Sequence, residues 1–331
     1  MRFAVLGAGS WGTALAMLLA DNGHDVTLWT HHESAAEAMR RDRANERYLP
    51  GIPFPDSLQI TADLAAAVDA VDVVLIVVPS HAFRETTQKL APLLKPDQKV
   101  AWGAKGLEPG SRKLLHEVAR EELGASVLMA VVSGPTFAKE VARRLPGAVT
   151  VASQDAEYAL ALARALHNDH FRAYTGDDIT GVEIGGAVKN VMAIATGTAD
   201  GMGFGANARA ALIARGLAEM QRLGRTLGAR DETFTGLTGL GDLVLTCTDD
   251  QSRNRRLGLA IGQGKSIDET VKEIGQVVEG INTCKEVHEL AKEKGVDMPI
   301  TEQVYLIVHE GHTPEQALRD LMERAVRPEF D

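Results

Sequence analysis

Six residues near the start of the chain, Gly7-Ala8-Gly9-Ser10-Trp11-Gly12, constrain its fold more than any other stretch. They make a G-x-G-x-x-G turn, a weak signal alone and a strong one in the right surroundings. The surroundings are right. Residues 2–6 are a short, mostly apolar run that reads as a strand. Residues 11–22 read as an apolar helix with Gly23 placed to cap its end, and residues 25–30 read as a second strand. Glycines at these spacings allow a tight turn, close approach of a pyrophosphate to the backbone, and a ligand at the positive end of the helix. The competing reading is a turn whose glycines serve only helix–strand packing. An apolar leader is a second competitor, because Arg2 precedes two apolar runs. The meaningful spacing of Gly7, Gly9 and Gly12 favours a buried strand and helix instead.

The same alternation continues. Residues 71–78, 99–102 and 126–132 are nearly continuous apolar runs, as expected of parallel strands buried on both faces. Residues 83–94 and 111–123 read as connecting helices, and 148–152 and 171–174 as further strands extending the sheet. Beyond residue 178 strand-like runs largely vanish. Residues 178–227 read as one long glycine-interrupted helical region in which Ile213, Leu217 and Met220 share a face. Residues 268–272, 283–294, 302–309 and 314–322 read as more helices. The expected fold is α/β: a Rossmann-type doubly wound sheet domain over 1–178, then an all-helical domain over 179–331. A chain of 331 residues suits two such units.

Composition narrows the partners. With 35 basic against 45 acidic residues the net charge is −10, a poor basis for binding nucleic acid or an anionic membrane. No apolar run approaches the eighteen or so residues of a membrane span. Two cysteines, Cys247 and Cys284, make no disulfide framework and fit a reducing, cytoplasmic setting. The histidines and cysteines lack metal-ligand spacing, so no metal is expected. An anionic ligand would require the few basic groups to gather locally. Oligomeric state is not readable, and a homodimer is compatible with these residues.

The end of the second strand bears on the cofactor. An acid there would bind the ribose hydroxyls and favour NAD(H). This chain has Thr30, His31 and His32, with Glu33 a little late. The histidines could line a site for a 2′-phosphate, with Arg40, Arg41 or Arg43 nearby, or could be exposed loop residues. NADP(H) is favoured and NAD(H) stays open.

Further segments carry chemistry. Lys105 follows a buried strand on the ligand side of the sheet, where it could meet an anion or polarise a carbonyl; a surface lysine in a turn is the alternative. Residues 133–140 bring Gly134, Pro135 and Thr136 to the end of another strand, suiting either close backbone approach to a ligand or an ordinary turn capped by Thr136. Lys189 and Asn190 interrupt an apolar helical stretch. Burial would lower the lysine's pKa into the range of proton transfer, unless the side chain snorkels to water. Asp242 is a lone carboxylate in an apolar stretch, and Lys189 is its expected partner. Ser252 could cap a helix whose first turn carries Arg253 and Asn254, forming a phosphate site; a solvated basic helix start is the alternative.

Taken together these residues resemble the bacterial NAD(P)-dependent glycerol-3-phosphate dehydrogenase family over nearly the full length. The resemblance lies in GAGSWGTALA at 7–16, VPSHAFRE at 78–85, AKGLEPG at 104–110, SGPTFAKEV at 133–141, EIGGAVKNVMAIATG at 183–197, LTGLGDL at 237–243, QSRNRRLG at 251–258, VVEG at 277–280 and MPIT at 298–301. It implies reduction of dihydroxyacetone phosphate to sn-glycerol 3-phosphate, a precursor of phospholipids. It implies Lys189 as general acid and base, with Asp242 orienting it or the substrate hydroxyl. Substrate contacts carry over to Lys105, Gly134, Thr136, Ser252, Arg253 and Asn254, with Asn190 and Thr246 of second rank. Cofactor contacts carry over to Ser10, Trp11, His31, Lys105, Ala138, Arg253, Val277 and Glu279. A related dehydrogenase acting on a hydroxy or keto acid, and a non-catalytic NADP(H)-binding protein, are the rival readings. The first needs a carboxylate site, and the second needs neither Lys189 nor the Arg253 cluster.

Overall fold

Strand β1 (Arg2–Leu6) sends Phe3 and Val5 to one side and Ala4 and Leu6 to the other, and all four are buried. That is the period-two pattern of a strand covered on both faces. Strands β4 (Val73–Ile76) and β5 (Lys99–Trp102) repeat it. The computed structural model, which describes residues 1–326 and 328–329, builds these strands into an eight-stranded sheet. The others are β2 (Asp25–Trp29), β3 (Gln59–Thr61), β6 (Met129–Ser133), β7 (Gly147–Ala152) and β8 (Phe171–Gly176). Their order is β3-β2-β1-β4-β5-β6-β7-β8. The first six run parallel, and β7 turns back antiparallel to β6 with Val132 opposite Val151. β8 then runs parallel to β7.

Helices α1 (Ser10–Asp21), α2 (Glu33–Asp42), α3 (Leu64–Val68), α4 (Ser80–Leu90), α5 (Leu115–Leu123), α6 (Ala138–Ala142) and α7 (Ala156–Leu166) connect the strands. Leu15 and Leu19 of α1 and Leu162 of α7 join the core on one face; Phe83 of α4 and Val118 of α5 join the other. The sheet is therefore doubly wound, as the sequence implied. The sequence reading missed β3, whose three residues include one buried apolar side chain, Ile60.

The chain then becomes helical: α8 (Ile179–Gly201), α9 (Ala206–Thr226), α10 (Asp231–Thr235), α11 (Asp242–Thr248), α12 (Arg253–Gly262), α13 (Ile267–Ile274), α14 (Glu279–Lys294), α15 (Pro299–His309) and α16 (Pro314–Met322). The single helical region expected over 178–227 is two helices. Gly203, with φ of +85°, takes the left-handed conformation that a continuing helix forbids. Residues 327, 330 and 331 of the expected second domain lie outside the described residues.

Helix α8 is buried almost all round and contacts α9, α11, α12, α14 and α15. A helix apolar on every side belongs in the middle of such a cluster. Glycines on both helices let α12 approach: a Cβ on Gly197 of α8 would sit 2.3 Å from the Arg255 carbonyl oxygen, and one on Gly258 of α12 2.2 Å from that of Ile194. No described helix is long and apolar enough to cross a membrane.

Candidate active site

The glycine turn is shaped for close approach from above. A Cβ on Gly7 would lie 2.5 Å from the Val77 carbonyl oxygen, and Gly7 has φ of +120°. A Cβ on Gly12 would lie 1.9 Å from the Gly7 carbonyl oxygen, so α1 packs directly on the turn. A Cβ on Gly9 would meet nothing within 4 Å, because that side opens into a cleft. Gly9 starts α1 without a side-chain cap, which leaves the first amides free for an anion. Buried Asn45 fixes the turn from behind, donating from Nδ2 to the Ala8 carbonyl at 3.0 Å and to Thr13 Oγ1 at 2.8 Å. The turn stands at the carboxyl ends of β1 and β4, where the strand order reverses and open sheets bind ligands. Trp11 Nε1 is buried there without a hydrogen-bond partner. A dinucleotide pyrophosphate fits this cradle.

The cleft holds about 1280 Å³ and runs from His31 and His32 past the glycine turn to Lys189 and Arg253. At its inner end three elements converge. Lys105 leaves the end of β5, Lys189 sits midway along α8, and Asp242 opens α11. Lys189 Nζ donates to Asp242 Oδ1 at 2.5 Å and to Thr246 Oγ1 at 3.0 Å. Lys105 Nζ donates to Asp242 Oδ2 at 2.6 Å. The spacing of the two lysines is braced from below: Trp102 Nε1, on the strand leading to Lys105, donates to Glu183 Oε1 at 2.9 Å on the helix leading to Lys189.

Burial sets the protonation. Lys189 is 7% exposed. Burial lowers its pKa to about 7, with Asp242 resisting and Lys105 assisting the shift. Burial alone would raise Asp242, but the two ammonium groups outweigh it and hold the carboxyl below its ordinary value. With Lys189 protonated, one carboxylate between two lysines leaves a net positive centre, suited to a substrate carrying negative charge.

Beside it α12 begins. Ser252 Oγ accepts from the Arg255 amide at 3.2 Å, the expected N-cap. Arg253 lines the cleft and donates from Nη1 to the Val277 carbonyl at 2.7 Å. Asn254 links three helices: its Nδ2 donates to Asn190 Oδ1 at 2.9 Å, and its Oδ1 accepts from the Gly280 amide at 2.9 Å. Arg255 turns inward to Asp200 at 2.7 Å and Asp250 at 2.9 Å, so the basic run does not act as one patch. Glu279 faces Arg253 and Ser80, and burial pushes its carboxyl up to about 7 despite Arg253.

The residues singled out from sequence fall largely on this one cleft. Ser10, Trp11, His31, Ala138, Val277 and Glu279 line it, and so do Lys105, Thr136, Lys189, Ser252, Arg253 and Asn254. Asp242 lies behind the two lysines. Gly134 packs on β7, where a Cβ would meet the Ala148 carbonyl oxygen at 2.7 Å, and its own carbonyl accepts from Lys105 Nζ at 3.5 Å. Thr136 does not cap the next helix; Phe137 occupies that place, and Thr136 Oγ1 donates to the Gly134 carbonyl. The arginines following β2 are engaged elsewhere: Arg40 with Glu33, Arg41 with Asp42, and Arg43 with the Pro55, Asp56 and Leu58 carbonyls. Sequence reasoning assigned nothing to Asn45 or to the cleft-facing side of α4. A single polar residue in a loop and a polar helix face carry no signal of what they meet.

A dinucleotide turn feeding a buried lysine–carboxylate centre beside a helix start that can hold an anion defines a nicotinamide-dependent oxidoreductase of small anionic substrates. Comparison narrows the class. Residues 2–159 match the family model for NAD-dependent glycerol-3-phosphate dehydrogenase N-terminus, and residues 178–319 the model for its C-terminus. A glycerol-3-phosphate dehydrogenase (NAD(P)+) from Stenotrophomonas maltophilia is 56% identical over 99% of this chain and 96% of its own. The solved glycerol-3-phosphate dehydrogenase of Coxiella burnetii is 50% identical, with a TM-score of 0.95 over 98% of this chain and 99% of that one. The glycerol-3-phosphate dehydrogenase of Saccharomyces cerevisiae is 31% identical, with a TM-score of 0.84 over 98% and 99%. The chain belongs to the NAD-dependent glycerol-3-phosphate dehydrogenase family.

Proposed function

We propose that this protein interconverts dihydroxyacetone phosphate and sn-glycerol 3-phosphate with NAD(P)H, and that Lys189 moves the proton. The observation that carries the assignment of roles is the convergence of Lys105 and Lys189 on Asp242 beside the first turn of α12. When bound, a reduced nicotinamide supplies the hydride equivalent that no side chain here can provide. Everything else falls to the chain. Ser10, Trp11, His31, Ala138, Val277 and Glu279 hold the cofactor along the cleft. Arg253, Asn254 and the capped start of α12 take the substrate phosphate, remote from the reacting carbon, and so fix its orientation. Lys105 and Thr136 close on the carbonyl end, with Gly134 setting Lys105 in place. Charge develops on the C2 oxygen during reduction; the ammonium of Lys189 stabilises it and gives up its proton from Nζ. Asp242 keeps Nζ aimed and stays ionised. In the reverse direction neutral Lys189 takes the hydroxyl proton.

The expected setting is the cytoplasm, where both buried thiols stay reduced and the product supplies phospholipid backbones. A homodimer is compatible with these residues, and sedimentation velocity reads the assembly state. The central test is oxidation of NADH and NADPH with dihydroxyacetone phosphate, run beside a 2-keto acid. Turnover on the keto acid alone would refute the assignment.

A further inference from the structure

Helix α4 turns His81, Ala82, Glu85, Thr86 and Lys89 into the cleft, while Phe83 and Leu90 bury on its sheet side. Spacings of one, four, five and eight residues make this a single helical face. It stands at the same end of the cleft as His31 and His32, whose rings lie 3.8 Å apart. This is where β2 ends and where a doubly wound sheet reads the adenosine ribose. No carboxylate follows directly on β2, and Arg40, Arg41 and Arg43 do not line the cleft. His31 is no substitute cation. Burial lowers its pKa below the ordinary histidine value, helped by the nearby charges of His32 and Lys89. A charged pair that does line the cleft is on α4: Lys89 Nζ donates to Glu85 Oε1 at 2.5 Å, with both side chains more than half exposed. An exposed pair of this kind contributes little to stability, so exchanging it for a ligand contact costs little.

We propose that Lys89 of α4 is the cationic contact for the 2′-phosphate of NADP(H), and that Glu85, one turn earlier, accepts from the free 2′-hydroxyl of NAD(H). The pair would then let one site take both cofactors. A 2′-phosphate carries close to two negative charges at neutral pH and draws Lys89 away from Glu85. Without that phosphate, the ribose diol meets the Glu85 carboxylate. This rests on the nucleotide reading of the cleft and adds to it two residues on a helix outside the glycine-turn unit.

The test is calorimetric titration with adenosine 2′,5′-bisphosphate and with AMP, which needs no turnover. Lys89→Gln should weaken the bisphosphate by about tenfold or more, the scale of a lost charge-assisted hydrogen bond, and leave AMP unchanged. Lys89→Arg should restore most of that loss. Glu85→Gln should weaken AMP and tighten the bisphosphate by removing a like charge. Wild-type affinity for the bisphosphate in Lys89→Gln overturns the assignment of Lys89, and unchanged AMP binding in Glu85→Gln overturns that of Glu85. A wild-type protein that binds neither nucleotide overturns the nucleotide reading itself, and the proposal with it.

Discussion

Lys189 and Asp242 are 53 residues apart in the chain and 2.5 Å apart between Nζ and Oδ1. The contact joins the middle of α8 to the first residue of α11, and Lys105 reaches the other carboxylate oxygen from the sheet. Every step proposed for the reaction depends on that one buried carboxylate serving two lysines.

Replacing Lys189 by alanine removes the proton donor and leaves Asp242 paired with Lys105. The fold should survive, because the carboxylate keeps a cation. The expected loss in kcat is about 10²–10⁴-fold, the scale of general acid–base catalysis. NADPH affinity, measured by fluorescence titration, should stay near wild type. Wild-type turnover in this variant would remove Lys189 from the mechanism.

The same lysine sets a pH dependence. Its pKa is lowered by burial to about 7. Reduction needs the protonated form, so its rate should be highest below that value and fall with a unit slope as pH rises through it. Oxidation needs the neutral form and should rise over the same interval. Rate profiles in both directions between about pH 6.5 and 9 check this, in a range where the substrate phosphate is already largely doubly ionised. Asp242→Asn removes the charge that resists the shift, so the reductive profile should move to lower pH. Parallel profiles in the two directions would contradict the assignment.

Arg253→Ala should chiefly raise the KM for dihydroxyacetone phosphate. Its guanidinium lines the cleft beside the capped helix start and is tethered through the Val277 carbonyl. The loss of one charged contact to a phosphate is worth about 1.5–3 kcal/mol, or roughly 10- to 150-fold. Steady-state kinetics with varied substrate at saturating NADPH read it directly. An unchanged KM would move the phosphate site elsewhere.

Most of the site was legible because its parts carry local signals. Gly7, Gly9 and Gly12 mark the turn by spacing, Lys189 stands out as a charge in an apolar helix, and Ser252 precedes a helix as a cap should. Asp242 was readable as a carboxylate needing a partner, and Lys189 is one of its two. Lys105 as the second was not readable, because its flanks look like any surface turn. The same holds for Glu183, whose carboxylate meets Trp102 and His116 only through long-range packing. In the fold, β3 was too short to show a period, and the reversal of β7 leaves no mark in a run of small and β-branched residues. The arginines after β2 misled for a related reason: proximity in sequence says nothing of Glu33, Asp42 or the 55–58 carbonyls competing for them.

The glycines of α8 and α12 carry a final prediction. Gly258 faces the backbone of α8, and an alanine Cβ there would lie 2.2 Å from the Ile194 carbonyl oxygen and 2.9 Å from the Thr198 amide. Neither neighbour is a flexible side chain that could swing away, so the helices must part. Helix propensity alone would favour alanine by about 0.5–1 kcal/mol, which opposes the effect. Overpacking in a close-packed interior costs about 1–3 kcal/mol and should win. Gly258→Ala is therefore expected to lower Tm in a thermal melt. It should also raise the KM for dihydroxyacetone phosphate, because α12 carries Arg253 and Asn254 and α8 carries Lys189. Gly264, with open space around its Cβ position but φ of +78°, separates the two causes. Alanine there should lower Tm through backbone strain and leave KM unchanged. A Gly258→Ala protein with a normal melt and normal kinetics would show that the contact between these helices does not set the distance from the phosphate site to the catalytic lysine.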